Sequence, residues 1–152
     1  MKKVDVSKSI AEKYLVGPSD ILIARRSLNF DGAAKPCRIP AYANPIIYES
    51  SLIRISPNTD LILPIYLYYY FSNNRARTKY ILKHVTSSTI SGINQTGLNS
   101  INVLLPPLPL QQQFAAIVEK TEQQKTLMQQ SLGEMENNFN SLMQKAFRGE
   151  LF

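Results

Sequence analysis

Along this chain the apolar positions are first grouped in short runs and later recur with a helical period. Residues 20–26, DILIARR, and residues 50–56, SSLIRIS, are rich in isoleucine and leucine and lie beside the turn signals GPSD and SPNTD, which predicts two strands. Between them SLNFDGAAKPCRIPAYANP carries Asn29, Asp31, Gly32, Pro36 and Pro40, a composition suited to loops or short strands. LPIYLYYYFSNN then sets Pro64 at a first helical position, and RARTKYILKHV continues as a basic amphipathic stretch. One broken helix, or two short ones, is expected from about residue 63 to 85. SSTISGINQTGLNS reads as a polar loop, and INVLLP as a buried strand ahead of the prolines.

From residue 114 the pattern becomes heptad. Alternate steps of four and three residues fall on Phe114, Val118, Thr121, Lys125, Met128, Leu132, Met135, Phe139, Leu142 and Ala146, and all but Thr121 and Lys125 are apolar. Such a stripe predicts the seam of a coiled coil. The helix would run about 55 Å at 1.5 Å per residue, whereas a domain of about 110 residues is only about 30 Å across. A second helix is therefore expected to cover the seam. Lys125 and Thr121 at core positions trade stability for register or partner choice. Gly133 costs about 1 kcal/mol relative to alanine mid-helix and marks a weak point or a close crossing. Arg148 and Gly149 are expected to close the last turn.

Charge divides the chain at the same place. Lysine and arginine number 17 against 11 aspartate and glutamate, a net charge of +6. Residues 110–152 hold four basic and five acidic side chains, so the preceding segment carries +7. That excess favours a polyanionic partner for residues 1–108 and a different task for residues 109–152; a basic, soluble surface is the plainer alternative. Cys37 is the single cysteine and His84 the single histidine, which excludes an internal disulfide and leaves no metal-ligand spacing. A reducing, cytoplasmic setting is expected. The longest apolar run, LILPIYLYYYF, is well short of the roughly 20 residues that span a bilayer, and the opening MKKVDVSKSIAEK is charged where a signal peptide is apolar. No membrane partner is expected.

No catalytic constellation, metal site or cofactor site emerges. NPII at residues 44–47 begins like the Asn-Pro-Pro-aromatic motif of adenine methyltransferases, but it lacks the second proline and the aromatic residue, and no glycine-rich loop precedes it. His84 has no carboxylate or nucleophile in its motif, and Cys37, between Lys35 and Arg38, has no catalytic partner. Tyr66, Tyr68, Tyr69 and Tyr70 could stack on bases, but at helical spacing they fit a core better. Reading duplex DNA needs Arg or Lys for phosphate and guanine, and Asn, Gln, Ser or Thr for adenine edges and backbone oxygens. Two segments supply both kinds: Arg25, Arg26, Ser27, Asn29, Lys35 and Arg38, and then Ser87, Ser88, Thr89, Ser91, Asn94 and Gln95. The side chains of the second could instead bond only their own turns. Arg75, Arg77, Lys79 and Lys83 form a further cluster, for phosphate contact or for solvation.

With GPSDILIARR, SSLIRI, SSTISGIN, INVLLPPLPLQQQFAAIVEK and AFRGELF in that order, the chain resembles the specificity subunits of type I restriction-modification systems. The LPPLPLQQQFAAIV junction and the terminal AFRGEL are the specific parts, and the resemblance runs from about Lys13 onward. It implies an α+β fold, with a small mixed α/β target recognition domain followed by one long C-terminal helix. In the family two such helices pair, antiparallel, and hold two recognition domains over a bipartite site. The implied partners are double-stranded DNA, methyltransferase subunits and, through them, the restriction subunit. The chemistry of S-adenosylmethionine and ATP would belong to those partners, leaving this chain without catalysis or cofactor. One domain and one helix, where the family has two of each, suggest a half-subunit or the C-terminal half of a larger one; a half-subunit would form a homodimer or pair with a second half. GPSDILIARR comes early, which suggests a recognition domain shortened at its N-terminal end. The alternative is a truncated assembly protein that dimerises through the helix without reading DNA.

Overall fold

The computed structural model describes residues 5–39 and 44–150, and the chain forms two compact units, Met1–Gln112 and Gln113–Phe152. In the first unit, α1 (Lys8–Tyr14) leads to β1 (Leu15–Val16), β2 (Ile21–Ala24), β3 (Arg26–Ser27), β4 (Pro36–Arg38), β5 (Ile46–Ile47) and β6 (Leu52–Ile55). Helix α2 (Pro64–Ser72), α3 (Asn74–Ala76), a π-helical turn (Arg77–Ile81), a 3-10 turn (Leu82–His84), β7 (Ser91–Gly92) and α4 (Gln95–Asn99) follow. The strands pair antiparallel as β4-β2-β6, β1-β5 and β3-β7. The fold is mixed α/β with small sheets, followed by one long helix, as the sequence pattern predicts.

The core forms where β2 meets α2. Ile21 and Ile23, separated by the strand period of two, are fully buried, opposite Ile55 and Ile53 of β6. Pro36 is tolerated in β4 because, among the described residues, that strand pairs on one side only. On α2 the spacing of Leu67, Tyr70 and Phe71 makes one apolar stripe, which packs with Ile81, Val85, Ile93 and Leu98. Pro64 opens the helix, and Asn73 interrupts it: its Oδ1 accepts from the Ala76 amide at 3.1 Å and starts α3, giving the broken helix expected over 63–85. Tyr66 and Tyr68 also pack against this core.

Two expectations are corrected. INVLLP forms no strand. The Tyr66 hydroxyl donates to the Leu104 carbonyl at 2.8 Å and the Tyr70 hydroxyl to the Asn102 carbonyl at 3.1 Å, so tyrosines stand where a neighbouring strand would. The segment SSTISGINQTGLNS is not all loop, since it carries β7 and α4; Asn94 caps that helix, accepting from the Gly97 amide at 2.7 Å. Pro40 lies outside the described residues.

Helix α5 (Leu108–Phe147) is 40 residues long, about 60 Å at 1.5 Å per residue. Its first turn contributes Gln111, whose side chain is fully buried in the first unit. Gln111 Oε1 accepts from the Leu63 amide at 2.8 Å, while Nε2 donates to the carbonyls of Leu61 at 3.0 Å and Pro106 at 2.8 Å. One amide thereby ties the chain entering α2 to the chain entering α5. At the other end Gly149 has φ +70°, its amide donates to Ala146, and the Glu150 amide donates to Lys145, the paired bonds of a Schellman cap. Leu151 and Phe152 of the closing AFRGELF lie outside the described residues.

In the second unit Met128, Leu132, Met135, Phe139 and Leu142 are exposed along the heptad stripe, with Phe114 and Val118 half-buried. The Thr121 hydroxyl donates to the Ile117 carbonyl at 2.8 Å, so this polar seam residue is satisfied on its own helix. Among the described residues no helix is long and apolar enough to cross a membrane.

Gln111→Leu keeps most of the volume but leaves three partly buried backbone groups without their side-chain partner. We expect a loss of about 2–4 kcal/mol, read as a lower urea midpoint at an unchanged denaturant slope. An unchanged midpoint would contradict the role assigned to this amide.

Candidate nucleic-acid interface

The two polar segments singled out in the sequence meet through their backbones. Beyond β2, the Arg25 amide donates to Ser51 and its carbonyl accepts from Ile93 at 3.0 Å. Arg26 and Ser27 then pair with Gly92 and Ser91. Gly92 also exchanges two hydrogen bonds with Thr86, at 2.8 and 3.1 Å, which closes residues 86–92 into a hairpin. A Cβ on residue 92 would stand 2.8 Å from the Arg25 carbonyl oxygen, so this junction of three backbone segments requires glycine.

The turn beyond β3 is held from beneath. The Gly32 amide donates to Asn29, the Ala34 amide to the Ala24 carbonyl at 2.8 Å, and the Ala24 amide to Lys35 at 2.9 Å. Ala34 adopts φ +57°, a left-handed conformation costly for a residue with a Cβ. Arg77 stabilises it. Its guanidinium, 5% exposed, donates to the carbonyls of Asp31 at 2.7 Å, Ala33 at 2.8 Å, Ala34 at 3.0 Å and Phe71 at 3.1 Å. Burial lowers the pKa of this guanidinium, while the Asp31 carboxylate acts in the opposite sense. Assigning Arg77 to a surface cluster with Arg75, Lys79 and Lys83 is therefore corrected: its donors are spent inside the fold. The spacing of Arg77 from Ile81, one helical turn on the buried face, was the available sequence signal.

Arg25, Arg26, Asn29 and Lys35 are exposed around this junction, as are Ser88 and Thr89 on the hairpin. Arg38 is exposed but pairs with Ile21, at the far end of β2 and about 10 Å along the strand from Ala24. Its guanidinium lies over the Tyr68 ring, 5.9 Å from the centroid. Ser91 is 3% exposed, and its strand pairs with β3. Ser88 donates to the Ile90 carbonyl at 2.7 Å, and Asn94 is engaged as a helix cap; both side chains bond local backbone. What remains outward here are the cationic Arg25, Arg26 and Lys35 and the short polar Asn29, Ser88 and Thr89.

A family profile described as "Type I restriction modification DNA specificity domain" matches residues 7–137. Over 157 aligned residues the chain is 32% identical to the type I restriction enzyme EcoKI specificity subunit of Escherichia coli, covering 97% of this chain and 33% of that protein. It is 26% identical to the StySPI specificity subunit of Salmonella potsdam, with 99% and 33% covered. Against the putative MjaX specificity subunit of Methanocaldococcus jannaschii it is 28% identical, with 70% and 25% covered. The chain thus spans about a third or less of the length of these curated relatives.

Arg77→Met retains the aliphatic stem and removes every donor. Expected outcomes are a stability loss of about 3 kcal/mol or more and faster amide hydrogen exchange at Ala34, while the exchange of Leu132 on the long helix stays unchanged. Protection at Ala34 equal to that of the original chain would show that the turn holds without the guanidinium.

Proposed function

The chain belongs to the family of type I restriction-modification DNA specificity domains, and from that membership we propose that it is a non-catalytic module reading one half of a bipartite site in double-stranded DNA. The observation carrying this reading is the junction of β3 and β7, which unites the two polar segments on one cationic surface. Arg25, Arg26 and Lys35 supply phosphate or guanine contacts, Asn29, Ser88 and Thr89 offer shorter polar groups, and Arg38 extends the charge along β4. Asn94 acts through the cap it provides, fixing where the hairpin continues into α4.

In this reading the first unit recognises DNA and the helix assembles the complex. The heptad stripe pairs with a second copy, or with the helix of another half, so that two recognition domains face a bipartite site. A Cβ on Gly133 would meet no atom within 4 Å, which leaves room for a partner helix to approach closely there. Methyltransferase subunits dock on this assembly in the cytoplasm, and the restriction subunit joins through them; methyl transfer and cleavage belong to those partners.

The exposed seam also favours a second reading, an assembly protein that pairs through the helix and leaves DNA unread. Two measurements separate the readings. In gel shifts with random duplex, affinity should fall steeply with salt, and the double reversal Arg25→Glu with Arg26→Glu should weaken binding by about tenfold or more with the mass in light scattering unchanged. Absence of binding at low salt in the original chain would leave only the assembly reading.

Leu132→Asp should reduce that mass to a single chain. A seam variant with the same mass as its parent, or a parent that is already monomeric, would overturn pairing through the stripe.

A further inference from the structure

The cationic junction carries an apolar tip that neither the core nor the charge argument uses. Leu28 is 83% exposed and Ile90 is 52% exposed. Leu28 directly follows β3 and Ile90 directly precedes β7. The ladder pairs Arg26 with Gly92 and Ser27 with Ser91; carried one residue further, the register sets Leu28 opposite Ile90. Both flanks are held, since the Ser27 hydroxyl accepts from the Asn29 amide at 3.2 Å and Ser88 donates to the Ile90 carbonyl. A lone exposed leucine is ordinary. Two branched aliphatic residues at one end of a short ladder, both outside the core, form a presented contact.

We infer that Leu28 and Ile90 form a knuckle that enters the DNA major groove and packs on the C5-methyl groups of thymine. The inference rests on the DNA-reading function proposed above. A two-stranded ribbon fits the width of the major groove, and the thymine methyl is the apolar group that base edges display there. Arg25 and Arg26, which lead into the tip along the chain, and Lys35, whose carbonyl accepts from the Ala24 amide, are exposed and match the flanking phosphates. They also oppose a second copy of this chain as the occupant, because self-pairing through the tip would bring like charges together. Because the turns beneath are already ordered, seating the knuckle immobilises little that is mobile in the free protein.

The test uses the full 152-residue chain and a random-sequence duplex pool, from which retained duplexes are sequenced. The most enriched duplex is then titrated by fluorescence anisotropy in two forms, one with thymine and one with deoxyuridine, which lacks the methyl group. The original chain should bind the thymine form more tightly, by about fourfold for each methyl group covered. The double variant Leu28→Ser with Ile90→Ser should bind both forms equally and lose enrichment of T·A pairs. Both substitutions are at exposed positions, and matching circular dichroism confirms that the variant is folded. If the original chain binds but does not distinguish the two forms, or if the variant distinguishes them as well as its parent does, the knuckle contact is wrong and DNA reading stands. If the original chain retains no duplex at low salt, the DNA-reading function itself fails, and the knuckle with it.

Discussion

The first unit depends on one buried cation. Arg77 reaches from the helical layer into the turn that follows β3 and binds carbonyls at Asp31, Ala33 and Ala34, together with Phe71 at the end of α2. A guanidinium inside a protein loses water from its donors, and four carbonyl acceptors meet four of its five N–H groups. The exchange settles two matters together. It fixes the left-handed Ala34, and it directs the arginines, asparagine and lysine around that turn outward.

Gln111 does comparable work at the opposite border of the unit, with a neutral amide in place of a charge. Both side chains are polar and buried, and apart from Phe71 of α2 their backbone partners belong to no strand or α-helix. In a unit with such short strands, irregular segments carry much of the chain, and their amides and carbonyls need partners just as those of a sheet do. Arginine and glutamine provide those partners from a distance.

Elements with a strong period were legible in the sequence. The strands around residues 20–26 and 50–56, the helix interrupted near Asn73 and the long C-terminal helix all follow from apolar spacing and local turn chemistry. What escaped depends on contacts far apart along the chain. INVLLP has the composition of a strand, but the hydroxyls that bind its carbonyls lie on α2. Arg77 stands in a basic helical segment, where solvation is the ordinary expectation, and the turn it holds lies more than forty residues earlier. Of the candidate residues, Arg25, Arg26, Asn29 and Lys35 could be selected by residue type, yet neither the burial of Ser91 nor its pairing with β3 could be read from the sequence. No local pattern announced that neighbour, because the ladder is only two residues long on each side.

The hold on the 31–34 turn is exerted on main-chain oxygen atoms, and the β3–β7 junction is likewise built from main-chain pairs. Neither depends on which side chains occupy the tips at positions 28, 29, 89 and 90. Such a scaffold separates folding from surface chemistry: mutation can rewrite the outward side chains while the frame beneath keeps its shape.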